Sequence, residues 1–124
     1  MAAAAGIMES SGNVGGWASV IGELAELALR MGHHERALDL INKARARLAG
    51  SPGLYRTILG RFAALEARVQ WRMGSLEAAR SACEAAANVL PTDRVQERAA
   101  VGRLRGLVDS LISTESALNR DTRK

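Results

Sequence analysis

Between Leu54 and Leu90 the apolar residues recur with the period of an α-helix that turns back on itself. Leu54, Ile58, Phe62, Leu65 and Val69 follow one another at spacings of four, four, three and four. At about 100° per residue they fall within a stripe roughly 80° wide, so this helix has one buried face. Gly74 ends it, because glycine takes the left-handed C-terminal conformation without a Cβ clash. Ser75 is placed to cap the next helix through its hydroxyl. In that helix Leu76, Ala79, Cys83, Ala86 and Leu90 repeat at three, four, three and four, and Pro91 closes the unit. The small residues Ala79, Cys83 and Ala86 let two antiparallel helices approach closely, which predicts a helical hairpin.

An earlier copy of the pattern is present. Val20, Ile21, Leu24, Leu27, Ala28 and Met31 form a first helix, Gly32 the break, and Ala37, Ile41, Ala44 and Leu48 the returning face. The breaks read Arg30-Met31-Gly32-His33 and Arg72-Met73-Gly74-Ser75, and each Gly is followed at five and twelve residues by Ala: Ala37 and Ala44, Ala79 and Ala86. The offset of 42 residues (73 − 31) lies in the range of helical arrays.

This order of turn Gly, two alanines and closing Pro91 resembles the tetratricopeptide repeat (TPR) family over about residues 17–91. In the first copy Ala49 stands in place of the Pro, and the loop Gly50-Ser51-Pro52-Gly53 absorbs part of a period longer than the family's usual one. The resemblance implies an all-α, right-handed array of two antiparallel hairpins (17–49 and 53–90) and a C-terminal capping helix (93–118), five helices in all. Residues 1–15 then form a flexible tail, 16–118 the single domain, and 119–124 a frayed end.

In TPR-like folds the first helix of each hairpin lines a concave groove. Counted back from the hairpin Gly, the groove positions match Arg61, Ala64, Arg68, Trp71 and Arg72 in the second copy and Ser19, Gly22, Glu26, Leu29 and Arg30 in the first. The helical wheel independently sets Arg61, Arg68 and Arg72 within about 40° of one another along one border of the Leu54–Val69 stripe. Guanidiniums pair with carboxylates in bidentate fashion and an indole adds apolar area, so this ridge suits an acidic, partly apolar segment of another protein, or self-association. The bland alternative is a set of solvated arginines whose stems cover apolar edges. Arg94, Arg98 and Arg105 form a second basic ridge of the same ambiguity.

Composition narrows the classes. The chain has 124 residues, is 48% hydrophobic but only 3% aromatic, and is rich in the helix formers Ala, Leu, Arg and Glu. Fifteen of its 17 basic residues are arginine, a skew that fits a GC-rich bacterial coding genome. A net charge of +4 invites nucleic acid, yet 13 acidic residues are interleaved with the basic ones and no aromatic stacking platform is evident. A single cysteine forms no internal disulfide and suits a reducing, cytoplasmic compartment. The opening lacks the features of a secretory signal, and no apolar run approaches the length of a membrane span.

Parts for catalysis are missing. Cys83 lies among core alanines, the glycines stand at turns rather than in a phosphate loop, and the acids mostly have a base nearby, as Glu84 has Arg80 at i−4. His33 and His34 point in different directions and lack companion ligands, so neither metal nor cofactor is expected. Trp17 lies on the buried stripe with Val20 and Leu24, and Tyr55 just beyond the edge of its own. Ser51-Pro52 reads as a helix start, and Asp93 with Gln96 as a capping box. The expected function is a non-catalytic adaptor or chaperone. The resemblance offers two more specific homes: a cytoplasmic chaperone of a type III secretion subunit, or the sensor arm of a bacterial transcription regulator.

Overall fold

A computed structural model describes residues 14–50 and 53–122, with side chains through Leu118. The expected N-terminal tail and the Ser51-Pro52 start lie outside the described residues, apart from Val14 and Gly15, which already belong to the first helix. Five helices follow in order: α1 (Val14–Arg30), α2 (His34–Leu48), α3 (Arg56–Arg72), α4 (Leu76–Val89) and α5 (Val95–Thr122). Among the described residues there is no strand. Each helix packs on the next, and α3 also touches α1 and α5.

The two Gly turns are built alike. Gly32 and Gly74 sit at φ +80° and +78°, where a Cβ is strained. The Gly32 N–H donates to the Leu29 carbonyl (3.0 Å) and the His33 N–H to that of Ala28 (2.8 Å); Gly74 donates to Trp71 (3.1 Å) and Ser75 to Gln70 (2.9 Å). These paired backbone bonds satisfy the last carbonyls of α1 and α3. Ser75 does not cap α4 through its hydroxyl; no side-chain cap bond forms there. Its backbone carbonyl instead accepts from the Ala79 N–H at 2.9 Å.

The core has two parts that share α3. Trp17, Ile21, Leu29, Ile41, Leu48, Phe62, Leu65 and Val69 are the large members of the first, between α1, α2 and α3. Ala63, Ala67, Ala82, Cys83, Ala86, Leu90 and Val101 form the second, between α3, α4 and α5. Small residues predominate there, as expected for close helix approach. Every residue predicted for the returning face of the first copy (Ala37, Ile41, Ala44 and Leu48) is fully buried.

Three apolar expectations are corrected. Leu54 precedes α3 and is 76% exposed. On α1, Leu27 and Met31 are exposed while Ala18, Ala25 and Leu29 are buried. That helix is apolar nearly all round, and its buried stripe is turned by roughly 80° from the predicted one, counting ~100° per residue. On α5, Val101 and Val108 are buried but Leu107, Leu111 and Leu118 are exposed. The helix starts at Val95, two residues beyond the expected Asp93, and continues to Thr122.

Arginines fasten α4 at its C-terminal end. Arg56 Nε donates to the Val89 carbonyl at 2.7 Å, and Arg98 Nη1 to those of Ala87 (3.0 Å) and Leu90 (2.8 Å). Cations suit a helix C-terminus, where unpaired carbonyls concentrate negative charge. Further along, Arg105 meets Glu84 at 3.0 Å and Asp109 meets Arg80 at 3.3 Å. Arg94 lies 3.8 Å from Glu97. The second basic ridge is therefore partnered within the chain. These pairings climb α5 from Arg98 to Asp109 as they descend α4 from Leu90 to Arg80, so the last turns of α5 run past the start of α4.

Candidate functional site

A groove of about 590 Å³ opens between α1, α3 and α5. Ala18 and Gly22 of α1, Ile58, Phe62, Ala64 and Leu65 of α3, and Ala100, Val101 and Leu104 of α5 make it apolar. Phe62 and Leu65 also belong to the core, which holds the floor rigid. Gly22 keeps α1 open above Phe62: a Cβ there would stand 3.7 Å from the ring, in ordinary contact, and anything longer would project toward the groove.

Four of the seven predicted partner-binding residues are brought together here: Arg61, Ala64, Arg68 and Glu26. The other three are not among its lining. Trp71 and Arg72 lie in the last turn of α3, Trp71 half-buried and Arg72 exposed, and Arg30 ends α1, 3.4 Å from Glu26. Of the other family-matched positions Ser19 and Gly22 line the groove, whereas Leu29 is 3% exposed and belongs to the core.

The charge balance differs from expectation. Arg61 and Arg68 meet Glu97 and Glu26, each at 3.3 Å. With Glu23, three carboxylates line the groove against two guanidiniums, so it is not a basic groove. All these side chains are substantially exposed, and such pairs hold position more than they stabilise. Glu23, Glu97 and the whole α5 wall are not among the groove positions that the resemblance implies, which lie on the first helix of each hairpin and leave α5 a covering role. The available signal was Glu97, Ala100, Val101 and Leu104, spaced three, one and three along one side of α5.

Elsewhere the chemistry is structural. Cys83 is buried between α4 and α5; burial pushes its thiol above the usual value, with Arg105 pulling it back and Asp109 and Glu84 adding to the rise. A thiol so held stays protonated near neutral pH and is a poor nucleophile. Trp17 is buried with the Arg47 guanidinium 5.3 Å from its ring centroid, a core residue rather than a stacking platform for a ligand. Arg45 Nη1 reaches Glu66 Oε1 at 2.6 Å, joining α2 to α3. Among the described residues no three His, Cys, Asp or Glu side chains cluster as a metal site, and no helix is long and apolar enough to cross a membrane.

Comparison of the chain with protein-family models, with curated proteins and with solved structures gives no match.

Proposed function

We propose that the chain is a non-catalytic, TPR-like interaction module that seats a segment of another polypeptide in the groove between α1, α3 and α5. On this reading α1–α2 and α3–α4 are two antiparallel repeat units and α5 begins a third position. The matching turns at Gly32 and Gly74, and the packing of α3 on both α1 and α5, support it. The observation that carries the functional part is the groove itself. It has an apolar floor on rigid core residues, ion pairs along its sides, and no reactive group among its lining.

Binding energy then comes from Ile58, Phe62, Leu65 and Leu104 rather than from arginine. The guanidiniums already have carboxylate partners, so a ligand carboxylate would have to displace Glu26 or Glu97 to reach them. The preferred segment is amphipathic, with apolar residues facing the floor. Three carboxylates also make the groove a poor seat for a phosphate backbone.

Affinity capture from the native host tests this with wild type, Ala64→Trp and Arg61→Ala/Arg68→Ala. The indole fills the groove and should lower recovery of captured protein at least about tenfold, whereas the arginine pair changes it by no more than about threefold. Equal recovery with Ala64→Trp would refute the groove as the seat.

A further inference from the structure

Every residue that lines the groove stands in a helix, from Ala18 to Glu26 on α1, Ile58 to Arg68 on α3 and Glu97 to Leu104 on α5. Past the first turns of α3 and α5, their backbone N–H and C=O groups are therefore bonded within those helices. The lining contains no Asn or Gln, and the Ser19 hydroxyl donates to the Gly15 carbonyl at 3.1 Å. An extended segment would bring its own N–H and C=O groups to a floor with almost nothing to bond them, and each one left unpaired is costly. A helix arrives with those groups already paired. From Ile58 to Arg68 the floor runs about 15 Å along α3, roughly three turns of such a helix.

We infer that the groove takes an amphipathic helix of another protein, with lysine or arginine along the border that faces α1 and apolar residues on the rest of its buried side. This deepens the proposed function by giving the partner's chemistry, and it rests on that reading. The charges of the two walls select it. On α1, Glu23 is exposed, and its carboxylate has no partner among the described residues. Glu26, one turn further on, already takes both Arg30 and Arg68. On α5, Glu97 takes Arg61 and Arg94, and the wall beyond it is Ala100, Val101 and Leu104. One wall therefore offers an unmet carboxylate and the other offers apolar surface. A cation on the helix border meets Glu23 without breaking either ion pair of the lining. An anion there is repelled by Glu23 and finds a guanidinium only by displacing Glu26 or Glu97. Past Leu104 the same side of α5 exposes Leu107 and Leu111, at 56% and 43%, so the apolar border of the helix has surface to follow beyond the groove.

Designed peptides of about 18 residues, long enough for an amphipathic helix, serve as probes. Two of them share heptad-spaced leucines and differ only in carrying Lys or Glu along one border. Fluorescence anisotropy with the full chain at low salt should find the Lys peptide bound at least about fivefold more tightly than the Glu peptide. Glu23→Lys should reverse that order, with the helical circular dichroism retained because Glu23 is exposed. A third peptide of the Lys peptide's composition, with its leucines at alternate positions to suit a strand, should bind at least about tenfold more weakly. Equal binding of the Lys and Glu peptides, a preference that Glu23→Lys leaves unchanged, equal binding of the strand-patterned peptide, or no binding of any peptide would overturn the inference. If one of these holds while Ala64→Trp still lowers capture of another protein, the basic helix fails and the groove reading stands. If Ala64→Trp changes neither capture nor binding of the Lys peptide, both fail.

Discussion

Trp17→Ala should lower the stability of the folded chain by about 3–5 kcal/mol, the usual cost of emptying a buried aromatic site. Trp17 is 1% exposed and is the largest of the fully buried side chains. It packs into the core shared by α1, α2 and α3, many of whose members, Ala18, Ala25, Ala28, Ala37 and Ala44, are short and have little reach with which to fill the space. Arg47 of α2 closes the site from above and adds a cation–π contribution of ~0.5–1 kcal/mol that the substitution also removes. Against a total stability of about 5–15 kcal/mol for an ordinary domain, the loss is severe. Urea titration followed by circular dichroism measures it, with Trp17→Phe as the control that retains most of the apolar contact. A loss below about 1 kcal/mol would contradict the placement of this side chain in the core.

Gly60→Leu should be nearly as damaging, for the opposite reason. Gly60 lies in α3 where the end of α4 crosses it: a Cβ at this position would stand 2.7 Å from Leu90 Cδ2, 2.9 Å from its Cγ and 3.3 Å from its Cα. Leu90 is 1% exposed and held by the bond from Arg98 to its carbonyl, so it has nowhere to go. Overpacking of this kind costs about 1–3 kcal/mol and more when backbone must move. Gly60→Leu should therefore lose about 3 kcal/mol, and Gly60→Ala a smaller amount despite a helix-propensity gain of ~1 kcal/mol. Gly102 and Gly106 supply the contrast. Both are exposed in α5 with no atom within 4 Å of a built Cβ, and Gly→Ala at either should stabilise by about 0.5–1 kcal/mol. The same urea titrations decide the sign at each site. A neutral Gly60→Ala would mean that α4 is free to retreat from α3.

The helices themselves were legible because their signals are local. Gly32 and Gly74 announce their turns, and Ala37, Ile41, Ala44 and Leu48 sit at spacings that only one buried face satisfies. Ambiguity arose where periodicity had two solutions. In α1 the sequence is apolar on most sides, and which stripe is buried depends on how α2 and α3 meet it, a tertiary fact absent from α1 alone. Leu29 and Leu27 exchanged places for that reason. Leu54 fell outside because α3 begins only at Arg56, after a turn that spacing does not reveal. In the groove, Arg61 and Arg68 were visible as a ridge, but their charge was not. Glu97 stands 36 residues from Arg61 and Glu26 stands 42 from Arg68, and no local rule pairs residues so far apart.

The position of α3 has a consequence for how the molecule comes apart. One of its faces completes the core with α1 and α2, and another face, through Ala63 and Ala67, completes the core with α4 and α5. Either outer pair can open while its opposite remains closed, but neither opening exposes all of α3. Its amide hydrogens are therefore the last to exchange with solvent, and local opening at the two ends proceeds independently around a common, slow-exchanging centre.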